Sequence, residues 1–101
     1  MTIEEFYIDF SDVSLKILND LKADKSKRNI AKAVIKSLRL MGYNLRHPSL
    51  GTHKYSSMFG PHGQEIFESY AQNNTPGAYR IFWYYGPGKN VITIYTILPH
   101  P

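Results

Sequence analysis

Two runs decide the architecture: Ala78-Tyr79-Arg80-Ile81-Phe82-Trp83-Tyr84-Tyr85 and Val91-Ile92-Thr93-Ile94-Tyr95-Thr96-Ile97-Leu98, with Gly86-Pro87-Gly88 between them. Aromatic and β-branched side chains fit a pleated, half-buried surface, and Gly-Pro-Gly is turn chemistry. The segment predicts strands over Tyr79 to Tyr85 and Val91 to Leu98 joined by a tight hairpin. No helix follows the glycines, so they form a turn and not a phosphate cradle. Upstream, Glu65 to Tyr70 reads as another strand between the loop Asn73 to Gly77 and the turn Phe59 to Gly63. Thr52 to Ser56 reads as a shorter one.

Before Pro48 the period changes from two to about 3.6. Asp24 or Ser26 can cap a helix in which Ile30, Val34, Leu38 and Met41 line one face, Ile35 widens it and Gly42 stops it. An earlier helix is capped by Ser11, places Val13, Ile17 and Leu21 on one face with Leu18 flanking, and runs to about Lys22. Ahead of it, Phe6, Ile8 and Phe10 alternate with polar neighbours in a strand from Ile3 to Phe10. The expected order is β-α-α-β-β-β-β, an α+β fold with a helical hairpin packed on one face of an antiparallel sheet and the other face open.

The chain has 101 residues, which bounds it to one domain spanning 1–101, and 43% hydrophobic content supplies one two-layer core. A core this small leaves little room for an enclosed cavity, so a surface groove is the expected kind of site. Without cysteine there is no disulfide framework and no thiolate metal site. The N-terminal segment carries acids and lacks a long apolar run, so neither a signal peptide nor a membrane span is expected, and the reading is cytoplasmic with no membrane partner.

Charge is unevenly distributed. Residues 1–24 hold Glu4, Glu5, Asp9, Asp12, Asp20 and Asp24 against Lys16 and Lys22. Residues 25–54 hold Lys25, Lys27, Arg28, Lys32, Lys36, Arg39, Arg46 and Lys54 and no acid. Such a run is the footprint of a protein that meets a polyanion, because each neutralised phosphate releases counterion. Equally, it can solvate a helix face and pair with the acidic first helix.

The Tyr79-Arg80-Ile81 strand, the tight turn, the β-branched strand and the histidine at 100 resemble the C-terminal signature of the RelE/ParE toxin superfamily. Leu45-Arg46-His47-Pro48-Ser49-Leu50 with His53-Lys54 is similar to that family's entry into its sheet. The resemblance covers nearly the whole chain as architecture, but as motif only residues 45–54 and 78–100. It implies a bacterial toxin of a type II toxin-antitoxin system in the manner of RelE, YoeB and HigB, neutralised by a cognate antitoxin. It further implies a ribosome-dependent endoribonuclease, an mRNA interferase that cleaves mRNA on the ribosome through the RNA 2′-hydroxyl. The ParE branch instead binds a protein target such as DNA gyrase and cuts nothing, and a non-toxic nucleic-acid-binding or protein-binding member is a third possibility. Oligomeric state is left open, a homodimer included.

RNA cleavage of this kind needs a base, cationic donors on the phosphate and an acid for the leaving oxygen. Arg80 is the candidate phosphate donor, since a guanidinium offers fixed paired donors and the position matches the family's arginine. The alternative is a structural arginine whose head pairs with Glu68 on the adjacent strand. His100 is the candidate acid, against a frayed terminus. By parity Ile92, Ile94, Leu98 and His100 share a face unless Pro99 breaks the alternation. Lys54 is a second phosphate donor. His53 is a candidate base, with His47 and Glu68 as alternatives, and one of His53 and Lys54 should face the groove.

Tyr84 and its aromatic neighbours can stack splayed bases, or simply pack the sheet. Arg46, Arg39 and Lys36 are the nucleic-acid contacts expected on the basic segment. His47, His53, His62 and His100 show no ligand spacing, and this chemistry needs neither metal nor cofactor.

Overall fold

The computed structural model describes residues 5–73 and 77–100. Ile3 and Glu4, expected in the first strand, and Asn74 to Pro76, expected in a loop, lie outside them. The order is β1 (Tyr7–Phe10), α1 (Asp12–Ala23), α2 (Arg28–Tyr43), β2 (His53–Phe59), β3 (Glu65–Tyr70), β4 (Tyr79–Tyr85) and β5 (Val91–Pro99), with single 3-10 turns at Lys25–Lys27 and Pro48–Leu50. This is the expected α+β sequence of elements.

β2 to β5 form the antiparallel meander that the hairpin signals predict. β1 corrects the expectation of a wholly antiparallel sheet. It runs parallel to β5, so the sheet is mixed and its order is β1-β5-β4-β3-β2.

The helices cover one face. Leu18 and Leu21 of α1 and Ala31, Val34, Leu38 and Met41 of α2 pack on Ile81, Trp83, Ile92, Ile94 and Ile97. Ser11 caps α1 as expected, accepting from the Ser14 amide. The buried face is shifted, however: Ser14, Leu18 and Leu21 point inward while Val13 is 60% exposed. Ser14 is inward because its hydroxyl donates to the Ile94 carbonyl at 2.8 Å.

Asp24 caps the 3-10 turn that leads into α2. Gly42 does not stop α2, which continues to Tyr43. Its carbonyl accepts from the Phe6 amide at 2.9 Å, and a Cβ there would touch Ile8 Cδ1 and the Phe6 carbonyl at 3.4 Å. The glycine marks a close approach of chain to helix rather than a C-cap.

β5 contains a bulge. Phe82 pairs with Thr96 but Trp83 pairs with Ile94, so Tyr95 is an extra residue. Ile92 and Ile94 face the helices before it, Ile97 after it, and Leu98 comes to lie opposite Arg80 on the other face. The parity argument for His100 therefore fails at Tyr95, not at Pro99. The chain there is tied down: the His100 amide donates to the Ala78 carbonyl, and the Gly77 amide to the His100 carbonyl, each at 2.8 Å.

Candidate active site on the helix-free face

Alternation along β3 puts Ile66, Glu68 and Tyr70 on the face that carries no helix, and alternation along β4 adds Arg80, Phe82 and Tyr84. Ile66, Phe82 and Tyr84 form an apolar cluster against which Tyr55, Met58 and Tyr95 pack. Next to that cluster sits a polar group built from three strands. Glu68 is opposite His53 on β2, and Tyr70 is opposite Arg80 on β4.

His53 Nε2 lies 2.7 Å from Glu68 Oε1, and Glu68 Oε2 lies 3.8 Å from Arg80 Nε. Glu68 and Arg80 are buried, while the His53 side chain is 46% exposed. The Arg80 guanidinium stacks 4.3 Å over the Tyr70 ring, and its NH1 donates to the Asn73 carbonyl at 2.7 Å. Burying a carboxylate and a guanidinium is costly unless each compensates the other, which here they do through the ion pair, the ring and the carbonyl.

The imidazole is flanked by acceptors. His53 Nδ1 lies 2.8 Å from the Gly51 carbonyl, opposite the contact of Nε2 with the Glu68 carboxylate. A neutral ring has one N–H, so both hydrogen bonds form only when the His53–Glu68 pair carries two protons. The pair presents its imidazole at the surface and its carboxylate to the interior. Gly51 helps to shape it, since its positive φ of 53° and missing Cβ admit the Tyr70 ring, which would stand 2.6 Å from a Cβ.

The other expected site residues separate by face. His100 falls on the Arg80 side, one pair beyond Leu98. Lys54 does not: it pairs with Phe67, which belongs to the helix-side core, and its Nζ holds Glu65 Oε1 at 2.8 Å. Adjacent strand residues must point to opposite faces, so only His53 can share the face of Arg80. Tyr84 is on that face but buried in the apolar cluster, with its ring 6.2 Å from Tyr95. His47 is spent locally, its Nδ1 3.1 Å from the Ser49 amide.

On the helix side, Arg28, Lys32, Lys36 and Arg39 are exposed and recur at intervals of four, four and three, one stripe along α2. Among the described residues neither these four nor Arg46 forms an ion pair, so pairing with acidic α1 does not account for them. The same side holds a cleft of about 350 Å³ lined by Leu45, Arg46, His47, Pro48, Gly51, Thr52 and Tyr85. Sequence reading missed it, because its walls come from the loop after α2 and the far end of β4. Among the described residues no group of three or more potential metal ligands assembles, and no helix is long and apolar enough to cross a membrane.

No family model and no curated protein matches the sequence. Two solved structures share the fold. The chain is similar to a chain of the archaeal RelE–RelB complex from Pyrococcus horikoshii OT3, at 12% identity and a TM-score of 0.62 over 94% of each chain. It is also similar to the YoeB dimer structure from Staphylococcus aureus, at 14% identity and a TM-score of 0.60 over 96% of this chain and 99% of that one.

Proposed function

We propose that this chain of RelE/YoeB fold is a toxin of a toxin-antitoxin pair, and that it is a ribosome-dependent endoribonuclease acting through the RNA 2′-hydroxyl without a metal. The observation that carries the reading is the His53–Glu68–Arg80 assembly. A small domain has buried two charges behind a half-exposed histidine on its helix-free face, at a desolvation cost that an apolar pair in the same place would not carry.

In this reading the one-proton form of the His53–Glu68 pair is the base. His53 keeps Nε2 on Glu68 and takes the 2′-hydroxyl proton on Nδ1 once that nitrogen has turned away from the Gly51 carbonyl, and Glu68 stabilises the imidazolium that forms. Arg80 holds Glu68 in place and supplies positive charge behind the phosphate. Its donor to the Asn73 carbonyl becomes available to a phosphate oxygen when that carbonyl is displaced. His100, on the same face, protonates the leaving 5′-oxygen. Lys36, Arg39 and Arg46, from the other side of the molecule, contact ribosomal RNA and raise its local concentration. The partners are then mRNA on the ribosome and a cognate antitoxin. The RelE–RelB and YoeB dimer structures are the reason to look for an antitoxin complex and a homodimer.

One observation favours a second reading. Arg80 is 1% exposed, as a structural arginine would be, and in that case the protein binds a target such as DNA gyrase, or nucleic acid, and cuts nothing.

Induced expression in a bacterial host, with growth followed and 5′ ends of translated mRNAs mapped, separates these. New ends inside coding regions that vanish in His53→Ala are the expected result. Arrested growth with intact mRNA and inhibited supercoiling would install the gyrase reading. Normal growth with intact mRNA would leave a binding module.

A further inference from the structure

The cleft on the helix side has the composition of a site and no assigned role. One wall is Tyr85, 51% exposed at the end of β4. Its ring is fixed from behind by Trp83 at 5.0 Å, Phe67 at 5.4 Å and Phe6 at 5.9 Å, with Phe67 stacked on Trp83. A ring so braced is a rigid platform that loses little entropy when another planar group lies against it. The lining also includes Arg46, whose exposed guanidinium forms no ion pair or hydrogen bond among the described residues. Leu45 and Pro48 add apolar surface to the lining, and Thr52 adds a hydroxyl.

We infer that this cleft binds one nucleoside monophosphate unit, its base against Tyr85 and its phosphate on Arg46. A volume of about 350 Å³ is of the size of small-ligand pockets. Aromatic stacking plus a guanidinium is the pairing by which single-stranded nucleic acid is held without sequence preference. The stripe of α2 leads to it, because Arg46 follows the C-terminal end of that helix. Lys54 lies on the same face as Thr52, two residues further along the chain, where its ammonium can exchange the exposed Glu65 carboxylate for the next phosphate of a strand. The inference deepens the proposed function by giving it a second RNA contact, on the face opposite the cutting residues, and the unit can come from a strand or from a free nucleotide.

The cleft has a built-in reporter. Thr52 Oγ1 lies 2.7 Å from Ser69 Oγ, which accepts from the indole N–H of Trp83, the sole tryptophan, at 2.9 Å. A ligand that engages Thr52 perturbs that chain, so the single indole resonance of the full-length labelled protein reports occupancy. The titrants are uridine 5′-monophosphate, a 2′-O-methyl hexauridylate that cannot be cleaved, and inorganic phosphate. Shifts at the Trp83 indole and at the Arg46 and Thr52 amides are expected with the hexamer, weakened about tenfold in Tyr85→Leu and several-fold in Arg46→Gln. Arg46 is exposed, so that variant keeps the fold whatever Tyr85→Leu does.

Shifts with the hexamer alone identify the strand as the source. Equal affinity for the mononucleotide identifies the free nucleotide. No shifts at millimolar ligand, shifts reproduced by phosphate alone, or shifts indifferent to both substitutions overturn the inference. Binding is read without cleavage, so a protein that binds here and cuts nothing sinks only the nuclease reading.

Discussion

His53 and Glu68 face each other across the β2–β3 ladder, and the 2.7 Å contact between them joins a surface imidazole to a carboxylate whose side chain is only 6% exposed. Behind the carboxylate stands Arg80, itself buried. Glu68 therefore serves two neighbours of unequal exposure, and its removal has a larger effect on the inner one.

Glu68→Ala should destabilise the fold by about 3 kcal/mol, because it removes the carboxylate that faces a buried guanidinium. His53→Ala, at a half-exposed position, should cost about 1 kcal/mol or less. Urea unfolding of both variants checks the asymmetry, and equal costs would contradict it.

Gly51→Ala should cost about 1–3 kcal/mol. The new Cβ meets the Tyr70 ring at 2.6 Å on a backbone already at positive φ, so either the ring or the turn must move. Because that ring covers the Arg80 guanidinium, a crystal structure of the variant should show Tyr70 displaced. A ring left in place with unchanged stability would refute the claim.

Asp24 gives a dependence on acid. Its carboxyl accepts from the hydroxyl and then the amide of Ser26, which hold its pKa below the ordinary 3.8. A lowered folded-state value means that the ionised cap stabilises above the unfolded pKa and is lost as pH falls through the folded one. The gap in urea midpoint between wild type and Asp24→Ala should be constant from neutrality down to about pH 5 and narrow below 3.8.

Neutralising the stripe of α2 should weaken RNA binding by its salt dependence more than by its sequence preference. Lys36→Gln and Arg39→Gln should each lower the slope of log K against log salt by about 0.7 on single-stranded RNA. Titrations at several salt concentrations measure it, and slopes unchanged from wild type would remove these residues from the interface.

Local chemistry made most of the fold legible. β3 and β4 begin and end where turn residues bracket aromatic or apolar runs, and Ser11 announces α1. What stayed hidden involves partners far apart in the chain. Nothing near Tyr7–Phe10 encodes pairing with Val91–Ile94, so the parallel edge was unreadable. The bulge at Tyr95 inverts a parity that the letters alone suggest, and the inward turn of Ser14 depends on a carbonyl in β5. The site shows the same division. Adjacency and alternation force His53 and Lys54 apart, and Glu68 was visible as a partner of Arg80. The Asn73 carbonyl and the cleft between Arg46 and Tyr85 were not, because they are made by loops folding back.

The pairing of β1 with β5 also constrains the order in which the molecule can be assembled. β5 is an interior strand of the sheet, with β1 on one side and β4 on the other, yet it follows the other described strands in the chain. Until residues 91–94 emerge, residues 7–10 have no neighbouring strand, β4 shows an open edge, and the apolar faces of both helices lack Ile92, Ile94 and Ile97. A nascent chain stalled before that point exposes both an unpaired strand edge and half a core, the features that invite aggregation and proteolysis. Completion of the sheet, and with it of any surface that can bind or cut, thus waits on residues 91–99.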